Sequence, residues 1–254
     1  MGRLPGTDPW IVRWNPVSAP RLRLLCFPYA GGGASSYRTW YQFLPRDVEV
    51  CAVQPPGREY RALEPAISRL ADLLTAMEPS LEPIIDEPYA TFGHSLGGLV
   101  SFELARRLRR LGQPLPQQMF ISGRPAPQLH RPERAYLLPD DEFLRVIRAF
   151  NGTNQEVFDH PELVELVLPL LRADFTLNAS HEYTREPPLP CPITAYFGTE
   201  DRGATAPEVA AWAEQTSAIF TLRELPGDHF FLRTAHRELL AEISHRLQAP
   251  DVGR

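Results

Sequence analysis

The apolar positions change period repeatedly along the chain, and those changes divide it into strands and helices. Short runs rich in β-branched and aromatic residues predict strands at Leu22-Arg-Leu-Leu-Cys-Phe27, Val48-Glu-Val-Cys-Ala-Val53, Tyr89-Ala-Thr-Phe92, Gln118-Met-Phe-Ile-Ser122, Ile193-Thr-Ala-Tyr-Phe197 and 219–225. Between them the period turns helical. Ile67, Leu70, Leu73, Leu74 and Met77 share one face of a helix expected at about 66–78. Further helices are expected at 206–216 and 234–248. Strands alternating with helices predict a doubly wound, mostly parallel α/β sheet. The alternation stops after residue 125. Helical patterns near 140–150, 161–172 and 173–183 follow before the strands resume. An insertion between two core strands lies over the strand C-termini, where ligands bind in this architecture. Residues 125–184 are therefore read as a helical lid on a single domain spanning 1–254.

The junction at 89–108 carries the first chemistry. Gly93-His94-Ser95-Leu96-Gly97 fits G-x-S-x-G. A strand precedes it, and Leu96, Leu99, Val100, Leu104, Leu108 and Leu111 follow at helical spacing. A serine on a sharp turn between the two is the nucleophile elbow of an α/β-hydrolase. A serine hydroxyl needs a base, and the base an orienting carboxylate, in the chain order Ser, Asp or Glu, His. Among seven histidines only His229 follows the last strand. His94 sits inside the elbow, where the backbone directs it away from the serine. The loop after the strand 193–197 offers Glu200 and Asp201, which spacing alone does not separate; Asp228 suits a helix cap better. Gly31-Gly32-Gly33 is followed by no G-K-[ST], so it is no P-loop. It lets backbone N–H groups approach a developing oxyanion, with the Leu96 N–H completing the hole.

Composition narrows the class. An apolar content of 43% and a charged content of 22% suit a soluble globular chain of 254 residues. No run is long enough to span a bilayer, and the first residues lack the layout of a secretory signal. A cytoplasmic, monomeric protein without membrane partner is expected. The net charge of −5 leaves no nucleic-acid footprint. Cys26, Cys51 and Cys191 lie far apart in apolar stretches, as buried thiols do. There is no metal motif, so no metal or cofactor is expected. Arg106, Arg107, Arg109 and Arg110 end the elbow helix, where positive charge suits the helix dipole. For contact with an acidic partner, the lid residues Arg131 and Arg134 are better placed, although Glu133 dilutes them.

The stretches "CFPYAGGGASSYRTW", "VEVCAVQPPGRE", "FGHSLGGLVSFELARRL", "ISGRPAP", "NGT", "LLRADF", "FGTEDRGATAPE" and "LPGDHFFL" run almost end to end. In them the chain resembles the type II thioesterases, free-standing hydrolases that serve polyketide and nonribosomal peptide synthases. The resemblance implies an α/β-hydrolase fold with a helical lid. It implies Ser95 as nucleophile, His229 as base and, in place of the open choice, Asp201 as acid. It implies Ala30 as the second oxyanion donor beside Leu96, with Tyr29 as its neighbour; Tyr29 and His94 are expected against substrate. The implied substrate is an acyl or aminoacyl thioester on the phosphopantetheine arm of a carrier protein, and the implied role is editing. Leu96 stands where methionine is common, and Pro56 where leucine is. Rival readings are a carboxylesterase or lipase on free esters, a chain-ending thioesterase domain, and a non-catalytic carrier-binding chaperone. The chain starts at its own Met1 and has no carrier-like D-S-L segment, so a fused carrier is not expected.

Overall fold

The computed structural model describes residues 8–131, 134–149 and 159–248. "NGT" at 151–153 and Glu133 lie outside the described residues. The strands are β1 (Ile11–Val12), β2 (Leu22–Phe27), β3 (Val48–Val53), β4 (Tyr89–His94), β5 (Met119–Ser122), β6 (Ile193–Gly198) and β7 (Phe220–Leu225). They form one sheet in the order β1-β3-β2-β4-β5-β6-β7. Every pairing is parallel except that of β1 with β3. The two-residue β1 was not expected; two half-buried residues carry too little pattern to stand out. The expected strands match to within a residue or two.

The sheet is the core because both its faces are covered. β3, β4 and β5 are buried at every position, as parallel strands between helices must be. One face packs on the helices α1 (Leu70–Ile85) and α2 (Leu96–Arg110) through Met77, Leu81, Leu99 and Leu104. The other packs on α7 (His236–Gln248) through Leu239, Leu240 and Ile243. α1 starts four residues later and ends seven later than its pattern predicts. It runs through Pro79 and Pro83, although an interior proline costs a helix about 3 kcal/mol. Buried Leu81, Ile84 and Ile85 continue the apolar stripe past those prolines, so tertiary packing overrides local propensity.

Between β5 and β6 lie α3 (Asp140–Ala149) and α4 (Pro161–Ala179), with short 3-10 turns at 127–129 and 134–137. α4 is one helix where two segments were expected, and Pro169 lies inside it. Residues 180–188 then run without helix back toward β6. Arg106, Arg109 and Arg110 of α2 converge there on Glu186, at 2.6, 2.5 and 2.7 Å. Burial raises the Glu186 pKa, but the hydrogen bonds from Arg106 and Arg109 outweigh it and hold the carboxyl below its usual range. The arginine run thus fastens the returning segment to the elbow helix as well as suiting the dipole. Two further α-helices among the described residues are α5 (Ala206–Ala210), whose N-terminus carries a Thr205–Glu208 capping box, and α6 (Phe231–Thr234). The helix expected at 206–216 is α5 continued as a 3-10 turn to Gln215.

Candidate active site

Ser95 sits between β4 and α2 with φ 53° and ψ −114°, a conformation that L-residues seldom adopt. The turn holds because both flanking glycines are indispensable. A Cβ on Gly93 would lie 2.2 Å from the Gly97 carbonyl oxygen, and one on Gly97 would lie 2.1 Å from that of Phe27. The Ser95 N–H donates to the Ser122 carbonyl of the neighbouring strand at 2.8 Å. The strain is thus built into the centre of the sheet. It lifts the serine onto the wall of a cavity of about 300 Å³.

His229 lies on the same cavity wall. Its Nδ1–H donates to Asp201 Oδ2 at 2.8 Å, and the Asp201 side chain is fully buried. The second Asp201 oxygen accepts the Gly203 N–H at 2.8 Å. Glu200 points to solvent. Spacing did not separate these two carboxylates, and the geometry pairs the histidine with Asp201. The loops after β6 and β7 hold each other in place. The Glu200 N–H donates to Gly227 O at 2.9 Å, and the Gly227 N–H to Thr199 Oγ1 at 3.1 Å. Asp228 Oδ1 accepts the Phe230 N–H at 2.8 Å in a turn just ahead of α6, where a helix cap was expected; Phe230 is the N-cap of α6 and no side chain caps it.

Ala30 and Leu96 also line the cavity. Leu96 is the first residue of α2, so its N–H has no intrahelical acceptor. Tyr29 borders the cavity, and its hydroxyl accepts from Arg233 at 2.8 Å. His94 is the exception among the expected site residues, and its expected substrate contact is corrected. It is fully buried and does not line the cavity. As the last residue of β4 it turns inward, with Nδ1 2.9 Å from Ser122 Oγ and its ring centroid 5.1 Å from that of His229. Burial, then the nearby His229 and Arg233, push its pKa well below the usual histidine range, so it is a neutral packing element beneath the histidine of the site.

Two buried charged side chains beside the site were not singled out by the sequence. Arg58 and Asp174 form a buried, two-pronged ion pair, with Nη1–Oδ2 at 2.8 Å and Nη2–Oδ1 at 2.9 Å. Arg58 also donates to Gly32 O at 3.1 Å, and Asp174 Oδ2 accepts the Gly31 N–H at 2.7 Å. Arg58 falls in the stretch "PPGRE" and Asp174 in "LRADF", two of the motifs that carry the family resemblance. The far wall of the cavity comes from the region read as a lid: Leu129, Ile147, Leu171, Phe175 and Asn178, with the exposed Arg131 at its rim. Arg134 is exposed and does not line it. Among the described residues no group of three or more His, Cys, Asp or Glu could hold a metal. No helix there is long and apolar enough to cross a membrane.

A mostly parallel sheet, with a serine on a strained strand–helix turn and a histidine–carboxylate pair after its last strands, defines the α/β-hydrolase class. Within it the chain belongs to the thioesterase family: residues 22–247 match the family model described as "Thioesterase domain". It is 42% identical over 240 residues to the gramicidin S biosynthesis protein GrsT of Aneurinibacillus migulanus, covering 94% of each chain. Its fold matches the type II thioesterase BorB from the borrelidin biosynthetic cluster with a TM-score of 0.87 and 36% identity, over 95% of this chain and 99% of that one. RedJ, a thioesterase of the prodiginine pathway in Streptomyces coelicolor, matches with a TM-score of 0.85 and 38% identity, over 90% and 91%.

Proposed function

We propose that this chain is an editing thioesterase that frees acyl or aminoacyl groups from the phosphopantetheine arms of carrier proteins of a polyketide or nonribosomal peptide synthase. One observation carries the reading. In a thioesterase-family chain, a strained Ser95 shares one cavity wall with a histidine bound to a buried carboxylate. The His229 imidazole, oriented by Asp201, takes the Ser95 proton as Oγ attacks the thioester carbonyl. The oxyanion that forms is received by the N–H groups of Ala30 and Leu96. The tetrahedral adduct collapses, the C–S bond breaks and the pantetheine sulfur leaves; a thiolate is a good leaving group that needs little acid help, and it takes the proton from His229 to depart as the thiol, returning the imidazole to its neutral form. Water then gives a proton to His229 as it attacks the Ser95 ester, and that proton passes to Ser95 Oγ as the C–O bond breaks and the carboxylic acid is released. The apolar cavity wall would hold the acyl chain. A second, open hollow of about 320 Å³ shares Arg202, Gly203 and His229 with the cavity and suits the pantetheine arm.

Binding energy from remote parts of a substrate is useful at the reacting centre. An editing enzyme that meets its substrate on a carrier draws on carrier and arm contacts. The test is a side-by-side rate comparison of acyl-carrier protein, the same acyl group on N-acetylcysteamine, and free lipid esters. The expected order of kcat/KM is as written, with Ser95→Ala near background throughout. A fluorophosphonate probe is expected to add once, at Ser95. A preference for free esters would transfer the chain to the esterase reading. Carrier binding without turnover in the parent would make it the non-catalytic chaperone.

A further inference from the structure

The α4 helix is built into the turn that carries the Ala30 N–H. Tyr29 to Gly32 form a β-turn closed by the Gly32 N–H on Tyr29 O at 2.9 Å, with Gly31 at φ +76° in its third position. The central peptide of that turn, between Ala30 and Gly31, points its N–H at Asp174 Oδ2 of α4, 2.7 Å away. Leu171, one helical turn earlier, covers the same glycine: a Cβ there would lie 2.7 Å from Leu171 Cδ2. Arg58 closes the arrangement from the loop after β3. It spans both Asp174 oxygens and holds Gly32 O on the far side of the turn. Arg58 is itself fixed by its Nε on Pro56 O at 3.3 Å. Its side chain is 6% exposed and that of Asp174 4%. Two buried charges are thus committed to one backbone turn, and neither touches the cavity that holds Ser95.

A buried ion pair is a poor way to gain stability, because desolvation opposes its attraction and a well-packed apolar pair often replaces it at no loss. Orientation is what it supplies. A peptide in a four-residue turn rotates readily unless both its sides are held, and an oxyanion donor is effective only when preset. We propose that Arg58 and Asp174 are positioning residues for the oxyanion hole: they clamp the Tyr29–Gly32 turn so that the Ala30 N–H faces Ser95 only while the inner end of α4 is seated. The lid region and the hole then form one unit, and displacement of α4 switches off the chemistry as well as opening the cavity. The proposal rests on the serine-hydrolase reading above.

The deciding variant is the double substitution Arg58→Met with Asp174→Leu, which removes the clamp and fills its space with apolar groups. The Tm is expected to stay within a few degrees of the parent. On N-acetylcysteamine thioesters kcat is expected to fall about 10²- to 10³-fold, the loss typical of one missing oxyanion donor, with KM changed less than about threefold. Affinity for an alkyl boronic acid, whose tetrahedral adduct needs the hole, is expected to fall in step. Asp174→Asn keeps an acceptor for the Gly31 N–H and is expected to retain most of the boronate affinity. Parent-like kcat and boronate affinity in the double variant, with Ser95→Ala inactive, would overturn the clamp alone. So would activity losses in both clamp variants that merely track the unfolded fraction. Parent-like activity in Ser95→Ala would remove the underlying reading and the clamp with it.

Discussion

The sheet half of the molecule and the segment between β5 and β6 are held together by different means. In the sheet half, large side chains interlock. Phe92 is fully buried, with its ring 4.7 Å from Trp40 and 6.0 Å from Tyr37, edge to face. Among its described residues the lid segment has one small apolar cluster of its own, Phe143, Ile147 and Leu171, and no buried residue in the first nine of α4. It is fastened chiefly by polar clasps. Arg172 donates to the carbonyls of Tyr136 and Leu138 and to Asp140, Arg124 to Asn178 at 2.7 Å, and Arg58 grips Asp174. Apolar burial is undirected and additive, so it fixes a frame. A few directed clasps can be released together, which suits a wall that must let a substrate arm in. Ser95 and the His229–Asp201 pair stand on the first kind of support; the far wall of the cavity and the Tyr29–Gly32 turn lean on the second.

The sharpest test of the rigid half is its carboxylate. Asp201→Asn is expected to lower kcat on the order of 10³- to 10⁴-fold, because the imidazole loses both orientation and charge compensation. Glu200→Gln, one residue away and exposed, is expected to change kcat less than about threefold. Steady-state rates on one thioester settle it. A larger loss from the glutamate change would mean that the observed pairing of His229 with Asp201 is not the working one.

A weaker effect contrasts the two kinds of packing. Phe92→Ala should cost about 3–5 kcal/mol in global unfolding, since the interlocked core cannot close on the cavity. Phe143 is as fully buried, under the Arg172 guanidinium at 4.6 Å and edge-on to Phe175 at 5.3 Å. Its loss can be no larger than the cost of opening the lid locally, because the segment opens instead of straining the sheet. Denaturant unfolding should therefore show a clearly smaller loss for Phe143→Ala. Hydrogen exchange should show faster amides in 140–149 and unchanged ones in β4 and β5. Equal global losses would make lid and sheet one cooperative unit.

The same contrast decides what the sequence made legible. The strands, the elbow and the histidine after the last strand were readable because parallel strands are continuous apolar runs and their loops sit at fixed points of the topology. The pairing of His229 with Asp201 matches what the family motifs implied. Legibility failed where a residue's partner is distant in sequence. Arg58 meets Asp174 across 116 residues, and no local period announces that. His94, expected against substrate alongside Tyr29 within the family resemblance, is instead turned inward at the end of β4, away from the cavity wall that carries Ser95, as the backbone of the elbow implied. The single helix α4 defeated the expected break because its buried positions are sparse: Leu170, Leu171, Asp174 and Leu177, one of them charged.

The smallest expected effect concerns acid. His130 lies at the base of the lid, its Nε2–H donating to Asn178 O at 3.0 Å. Burial first, then Arg124 and His181, push its pKa down to about 4. An unfolded histidine titrates near 6.5, so between about 4 and 6.5 the unfolded or opened segment binds more protons than the native one. The contribution is therefore complete above about pH 6.5 and is lost as pH falls toward 4. His94 shifts in the same direction, but it is locked in the sheet half and can be protonated only by disturbing the core. His130 can be protonated by releasing the lid base, a smaller opening. Acidification from pH 7 to 5 is therefore expected to speed hydrogen exchange in the 134–149 and 161–179 segments before it affects β4 and β5, after correction for the pH dependence of intrinsic exchange. His130→Gln keeps a donor for Asn178 O without a titrating ring, and should remove much of that early acid sensitivity. Simultaneous loss of protection in lid and sheet would show that the polar clasps are no easier to release than the core, and the division of labour between the two halves would fail.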